Sequence, residues 1–363
     1  MKVLLMVPSL RKTGVTEVIK SLIVENAKQE NGVTFYLMAL RQVRPSDADM
    51  FTRLLGKKLI LLDGDQYISL SKILKVRKII QKLNPDVVHF HGFNAEIYLP
   101  FVRSNRHHWV STAHNLGAED FVSTYGRIPG SIMATVQKIL YHHLDAVVGV
   151  SRTVSAHYRG CCREVITIYN GVPSQENTNP AKEHHASPVG VYAGNLDQRK
   201  NIKFLLEAAR HVGKDFPFTL VVLGDNPQDP TCVQKLKEQY GSKNILFQGR
   251  VNNVGKYLSK ADFFISASKS EGLPMAVLEA MKFNLDLILS NIPQHRELRI
   301  ADDQDIYFFG LKEVSSLEKV LSSYLRQWQP GHVSNNQRIF LQHFTAQKMY
   351  ISYVGLYKKL IDG

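Results

Sequence analysis

Cysteine is scarce in this chain and badly placed for cross-linking. There are three residues of that type, and two of them, Cys161 and Cys162, are neighbours. They make no disulfide framework, and no C-x-x-C pair suggests zinc. A reducing cytoplasm is the expected compartment. Long apolar runs are missing as well: none approaches the roughly 18 residues a membrane-crossing helix needs. The opening stretch MKVLLMVPSLRKTG has the lysine and short apolar run of a signal peptide but lacks a small-residue cleavage site. Pro8, Arg11 and Gly14 fit a first strand running into a loop instead. No nucleic-acid-binding module is recognisable. Acidic residues are the other shortage, 32 against 45 basic ones, for a net charge of +13. The imbalance is uneven, since residues 1–170 hold 22 basic and 13 acidic side chains, or +9. A basic surface favours phosphate-rich partners. Those partners are either nucleic acid or an anionic membrane, a well-solvated surface is the plainer alternative, and charge alone does not decide between them.

What the sequence has in abundance is alternation. KVLLMV (2–7) reads as a strand, TEVIKSLIVENAKQ (16–29) as a helix, VTFYLMAL and KLILL as strands. SLSKILKVRKIIQKLN (69–84) reads as a helix, followed by PDVVHFHG, HWVSTAHN and LDAVVGVS as strands. The pattern restarts after residue 187 with PVGVYAGN, NIKFLLEAARHV, FTLVVLGD, TCVQKLKEQYG, NILFQGRV, DFFISA, PMAVLEAMKF and LDLILS. Strand–helix alternation argues for parallel sheets covered on both faces. The expected organisation is an α/β domain over 1–172, a polar linker over 173–187 and a second α/β domain over 188–344. An amphipathic helix over 345–363 follows, packing back on the first domain. Two doubly wound sheets facing a cleft would suit two substrates, because open α/β sheets bind ligands at the carboxyl ends of their strands.

The densest motif is SASKSEGLPMAVLEAM, residues 266–281. A strand ends, Gly272 permits an unusual backbone angle, and Pro274 fits the first helical position, where its missing N–H costs nothing. The amides of Met275, Ala276 and Val277 are then expected as unpaired donors at the positive end of a helix, a site suited to a diphosphate. Glu279 lies about one and a half turns in, able to accept from a sugar diol. Glu271 on the loop could reach a second polar group; the plainer reading makes both glutamates solvated helix-end charges.

This stretch resembles the C-terminal signature of family 4 retaining glycosyltransferases, S-x-x-E-G-x-P-x-x-x-x-E-A-M, with Ser268, Glu271, Gly272, Pro274, Glu279, Ala280 and Met281 at its fixed positions. The resemblance runs through nearly the whole chain in order of elements. It implies a GT-B architecture of two doubly wound Rossmann-like domains. It also implies that Glu279 holds the ribose hydroxyls of a nucleotide-sugar. Glu271 would contact the donor sugar and support the transition state, and the backbone from Gly272 and Leu273 through Met275, Ala276 and Val277 would bind the diphosphate. Where the family has glycine before its next strand, this chain has Asn284, which tolerates left-handed geometry.

A second constellation, YAGNLDQRKN (192–201), resembles the family's G-R-L-x-x-x-K. Gly194, Leu196 and Lys200 match, while Asn195 stands where arginine is usual. Lys200 is the expected phosphate cation and Arg199 the substitute for the missing guanidinium. In the first half, Gly14 matches the glycine that lets the backbone approach the donor or acceptor, with Val15 where a second glycine is usual. His114, in STAHN, matches the family histidine that faces the donor sugar. Val251, in GRV, matches the segment whose backbone pairs with the nucleobase, and Asn170 is a further lining residue. His89 and His91 share one face of a strand by period two and are expected to line a pocket. Asp47–Asp49 and Asp63–Asp65 could suggest a D-x-D metal site, but the second reads more simply as a tight turn. Lys200 and the helix amides replace a metal electrostatically, so no cofactor is expected.

The resemblance implies retaining transfer of a hexosyl unit from a nucleotide-sugar, UDP-sugars favoured, to a growing lipid-linked bacterial surface glycan such as a capsule or exopolysaccharide. The expected partners are that donor, a glycan or polyprenyl-diphosphate-linked acceptor, and the inner face of the cell membrane; nucleic acid is not among them. The helix over 69–84 carries Lys72, Lys75, Arg77, Lys78 and Lys82 beside Ile73, Val76, Ile80 and Leu83. It is either an interfacial helix or, as its spacing suits better, a sheet-covering helix with a solvated basic face. A sugar-nucleotide epimerase on the same fold and a non-catalytic partner of another transferase are the alternative functions.

Overall fold

Thirteen strands, all short and apolar, run parallel to their neighbours among the residues described by the computed structural model, which are 1–64, 66, 68–174 and 186–363. Most of the expected linker, and Asp65 of the second acidic pair, lie outside the described residues. The chain divides into two units, Met1–Pro173 with Thr345–Gly363, and Ser174–Phe344.

In the first unit the order is β1 (Lys2–Val7), α1 (Gly14–Ala27), β2 (Thr34–Ala39), α2 (Pro45–Leu55), β3 (Leu59–Leu61) and α3 (Leu70–Leu83). Then come β4 (Val87–His91), α4 (Phe93–Glu96), α5 (Leu99–Val102), β5 (His108–Ala113), α6 (Gly117–Tyr125), α7 (Arg127–Tyr141), β6 (Ala146–Gly149), α8 (Arg152–Tyr158) and β7 (Val165–Thr167). The sheet order is β3-β2-β1-β4-β5-β6-β7. Such sheets are covered on both faces, which is why β1 and β4 read as nearly continuous apolar runs. Val3 to Val7 and Val87 to His91 are buried throughout.

The second unit repeats the plan. It holds β8 (Val189–Ala193), α9 (Ile202–Val212), β9 (Thr219–Leu223), α10 (Cys232–Tyr240), β10 (Ile245–Gly249), α11 (Gly255–Leu258) and β11 (Phe263–Ser266). Next are α12 (Met275–Lys282), β12 (Asp286–Ser290), α13 (Pro293–Arg296), β13 (Ile306–Phe309), α14 (Val314–Gln327) and α15 (Asn336–His343). Its sheet order is β10-β9-β8-β11-β12-β13. Ile202, Leu205, Leu206 and Ala209 of α9 enter a core with Phe263, Ile288 and Leu317. Asn284 takes the left-handed φ of +58° between α12 and β12, the geometry that asparagine tolerates best among residues with a side chain.

The last helix, α16 (Ala346–Asp362), belongs to the first unit and packs along α1. Tyr353 and Tyr357 are fully buried. The Tyr350 hydroxyl donates to Asn26 Oδ1 at 2.7 Å, and Tyr357 Oη lies 2.7 Å from His89 Nδ1.

Two differences from the sequence-based expectation bear on function. The pair α6–α7 has no counterpart in it, because Gly117, Gly126, Pro129 and Gly130 break the apolar period. The reason for one of these is tight packing: a Cβ on Gly130 would stand 2.5 Å from Val122 N on α6. In α3, Val76 and Ile80 are buried, as a sheet-covering helix requires. Lys72 is not part of its basic outer face. That side chain is buried, and its ammonium donates to the carbonyls of Leu40, Gly64 and Gln66 at 2.9, 2.9 and 2.6 Å.

Candidate active site

Strand order alone marks one place on the second sheet. The chain runs from β8 outward through β9 and β10, then returns to place β11 on the other side of β8. Loops leaving the carboxyl ends of β8 and β11 therefore diverge at a switch point, where open α/β sheets hold ligands. Both dense motifs sit there. Lys269 N donates to Arg199 O at 2.9 Å, tying the two loops by their backbones. Behind them Ser290 Oγ donates to Ser268 O at 2.6 Å, and His295 Nδ1, 2.9 Å from Ser290 O, braces the same corner.

The side chains of the two loops converge on Glu271. Lys200 Nζ donates to Oε1 at 2.5 Å, and Arg199 Nη1 donates to Oε2 at 3.2 Å and to Ser270 O at 3.0 Å. Glu271 is 6% exposed, so it is not the solvated helix-end charge of the plainer reading. Burial alone would push its carboxyl up. The adjacent Lys200 and Arg199 charges overcome that and hold it at about 2. It is ionised at any physiological pH. Lys200 is fixed in turn by its own backbone, whose N–H donates to Asp197 Oδ1 at 2.8 Å.

The helix that follows differs in one respect from expectation. Pro274 is its cap residue rather than its first turn, and the N–H groups of Val277 and Leu278 both close on Pro274 O, at 3.0 and 3.2 Å. Val277 N is thus a paired donor and buried, a correction to its expected place in an anion site. Met275 and Ala276, half-buried at the first two positions, have no acceptor within the helix ladder. Gly272 and Leu273 are buried in the loop before them, and Glu279 is half-buried one turn further on.

Val251 lies apart from this cluster, in a cavity of about 150 Å3 at the ends of β8, β9 and β10. Gly194, Asn195, Gly224, Asp225 and Arg250 line it as well. Sequence reasoning missed Gly224 and Asp225, although the strand ending LGD resembles a loop entry. Gly224 is obligatory: at φ +143°, a Cβ there would fall 1.8 Å from Gly194 O. Asn195, the departure from the family pattern, keeps its side chain exposed and gives its carbonyl to the Tyr192 hydroxyl at 2.7 Å.

The remaining candidates belong to the first unit. Gly14 opens α1 directly after its cap residue Thr13. His114 follows β5 and its Nε2 stands 3.0 Å from His91 Nδ1, at the end of the neighbouring β4. Burial drives His114 down to about 4 and also lowers His91, so the pair is neutral near pH 7. In a neutral pair one ring nitrogen must donate and the other accept. The tautomers of His91 and His114 are therefore coupled: a proton on one of the facing nitrogens requires the other to be bare. His89 has a different job, with its ring nitrogens bonded to Tyr357 Oη and, at 2.8 Å, Thr112 Oγ1. It ties α16 to the sheet. The parallel register of β4 and β5, with His91 opposite Thr112, is what brings His91 and His114 together; period two on one strand could not reveal it. Asn170 is buried.

Asp47 holds Arg44 at 2.9 Å, and Asp63 is fully exposed beside Lys75. Among the described residues the group able to hold a metal is Asp286, Asp305 and His332, at the amino ends of β12 and β13, the edge opposite Glu271.

These two sheets and the loops that diverge from them are the architecture of a glycosyltransferase of the GT-B class. Family models agree: residues 13–176 match glycosyltransferase family 4, and residues 187–326 match the glycosyl transferases group 1. The chain belongs to these glycosyltransferases, with one family domain in each half. The O-antigen biosynthesis glycosyltransferase WclY of Escherichia coli is 24% identical over 373 residues, covering 99% of both chains. The capsular polysaccharide biosynthesis glycosyltransferase CapH of Staphylococcus aureus is 24% identical, over 80% of this chain and 83% of its own. A Campylobacter jejuni α-1,4-N-acetyl-D-galactosaminyltransferase, named for an acceptor on PP-undecaprenol, is 24% identical over 52% of this chain and 53% of its own. Among solved structures, Anabaena HepE in complex with UDP-glucose matches with a TM-score of 0.78 at 15% identity, covering 99% of this chain and 100% of its own.

Proposed function

We propose that this enzyme moves a hexosyl unit, with retention, from a nucleotide-sugar to a growing lipid-linked glycan of a bacterial surface. The observation that carries the reading is the convergence of Lys200, Arg199 and Glu271 beside the start of α12. A glycosyl–phosphate bond breaks more easily when fixed positive charge awaits the leaving diphosphate, because preorganised charge needs no rearrangement during the reaction. Lys200, Arg199 and the Met275 and Ala276 amides supply such charge without a metal ion. Arg199 takes over from the arginine that Asn195 replaces. Glu271, anchored by the same cations, presents its remaining acceptor capacity to the donor sugar. Glu279 takes the ribose, and the Val251 cavity takes the base. His114, neutral and held by His91, is the further residue assigned to the chemistry.

HepE's complex with UDP-glucose favours a UDP-sugar donor here. The names of WclY, CapH and the Campylobacter transferase favour a surface glycan, the last of them on a polyprenyl diphosphate. The test is nucleoside diphosphate release from a panel of UDP-, GDP- and ADP-sugars in the presence of membrane-derived lipid-linked glycans. Release with one donor, lost in Lys200→Ala, supports the reading. Silence with every donor would leave a non-catalytic partner of another transferase. Interconversion of the donor without transfer would mark an epimerase.

A further inference from the structure

The first unit exposes apolar side chains in an ordered way. On α7, Ile128, Ile132, Val136 and Ile139 are 76%, 60%, 37% and 54% exposed. At 100° per residue these four fall within an arc of about 80°. Gly130, Gln137, Leu140 and Tyr141, on the far side of the same helix, are buried. So α7 buries one face against α6, α4 and α8 and leaves an apolar face with no partner among the described residues. Single exposed apolar residues need no explanation, but a stripe about three turns long marks an interaction surface.

Charge says what kind of surface meets it. Neither α7 nor α3 contains an acidic residue. Arg127 and Lys138 flank the α7 stripe on one side, and α3 shows Lys75, Arg77, Lys78 and Lys82 to solvent around Leu70 and Leu74, which are 74% and 58% exposed. The two helices lie on the same face of the sheet. Chain order runs from β3 to β4 through α3 and from β5 to β6 through α7, both crossing in the same direction, and parallel crossovers are right-handed. Between them α5 exposes Phe101, and the Arg103 that follows it donates from Nε to His143 O, just beyond α7, at 2.9 Å. Apolar stripes bordered by cations, with no anion on either helix, match the acyl boundary and headgroups of an anionic bilayer. An acidic protein surface would not use the isoleucines, and a second copy of this face would bring like charges together.

We infer that the α3–α5–α7 face docks the enzyme on anionic lipid, with the Ile128–Ile139 stripe entering the interface. This surface is separate from the donor site and stands or falls independently of it. The experiment is sedimentation of the full chain with vesicles of phosphatidylcholine alone and of phosphatidylcholine with phosphatidylglycerol, free of donor and acceptor. Binding is expected on the anionic vesicles and should weaken as salt rises. The double variant Ile132→Glu with Ile139→Glu should lose at least about tenfold in partitioning, the scale of two apolar side chains withdrawn from lipid. Lys138→Glu should weaken binding to anionic vesicles only. Ile351→Glu is the control, since Ile351 is 60% exposed on α16, which packs with α1 on the opposite face of the sheet; it should bind as wild type does. Because all four positions are solvent-facing, the variants should keep wild-type circular dichroism and melting. No binding by wild type, or undiminished binding by the double variant, overturns the inference. So does a wild-type dimer in sedimentation velocity that the double variant converts to monomer while vesicle binding stays unchanged, which would make this face a self-association surface.

Discussion

Replacing Glu271 by Gln tests the site through stability, with no substrate needed. The carboxyl is held at about 2 against an ordinary 4.5 and is 6% exposed, so solvent screening is slight. A shift of that size corresponds to about 3 kcal/mol of folded-state stabilisation at neutral pH. A lowered carboxylate pKa gives stability that is complete above the unfolded value and is lost as pH falls toward the folded one. Here the window runs from 4.5 down to about 2. By pH 4, about 0.8 kcal/mol of it should be gone. Gln has the shape of the protonated acid and no charge, so Glu271→Gln should destabilise the second unit by about 3 kcal/mol at pH 7 and by correspondingly less at pH 4. The assay is urea unfolding followed by tryptophan fluorescence. The chain has two tryptophans, Trp109 in the first unit and Trp328 in the second, so a Trp109→Phe background reports on the second unit alone. A difference under about 1 kcal/mol at pH 7, or one that does not shrink at pH 4, would refute the claim that Lys200 and Arg199 dominate the electrostatics of this carboxylate.

Other outcomes follow from the same geometry. Lys200→Ala should lower transfer at least about 100-fold, the usual scale for losing a preorganised electrostatic group, and Arg199→Ala should lower it less, because its contact is longer and shared with Ser270 O; comparable activity in both variants and wild type would sink the cation assignment. The buried histidines should make the first unit lose stability as pH falls below 6.5, since the folded state binds fewer protons than the unfolded one; an imidazole resonance of His114 titrating near 6.5 in NMR would contradict this. Gly224→Ala should weaken nucleotide binding while leaving the first unit's melting unchanged, and wild-type affinity by calorimetry would show that the Gly194–Gly224 approach does not shape the Val251 cavity.

Much of this molecule is legible in its residues alone. Parallel sheets follow from apolar runs such as KVLLMV and LDLILS alternating with amphipathic segments, because a strand buried on both faces has no polar side to show. The Glu271 motif can be placed at a helix start from Gly272 and Pro274. What stays hidden depends on neighbours distant in sequence. The Glu271–Lys200 pair spans 71 residues, and only the adjacency of β8 and β11 brings it about. The His91–His114 bond rests on the register of two strands. The Val277 amide looks available because local rules place it in the first turn, yet the chain tightens there and commits it to Pro274 O. Helices α6 and α7 are illegible for a related reason. Gly117 and Gly130 serve close packing between the two helices and Gly126 turns the chain between them at φ +88°, so they interrupt the very periodicity that would announce them.

The Asn195 departure is where local and tertiary reasoning meet. Read along the chain, losing the family arginine removes half the cationic clamp. In the folded second unit, Arg199 lies on the same loop, and its guanidinium reaches both Glu271 and Ser270 O. Guanidinium is planar and can bridge two acceptors at once, so one arginine can orient the carboxylate and the loop backbone together. Lys200 carries three donors on a single ammonium, and its contact to Glu271 uses one of them. A diphosphate arriving at the start of α12 can therefore be met without breaking the pair that positions Glu271. The physical requirement is a fixed positive field beside the leaving group, and which backbone position contributes the guanidinium is secondary. On this reasoning Asn195→Arg adds a cation where the field is already supplied. It should change transfer by no more than a few-fold, whereas Arg199→Ala combined with Asn195→Arg should recover activity that Arg199→Ala alone has lost. Failure of that rescue would show that Arg199 acts through the loop geometry at Ser270 rather than through its charge.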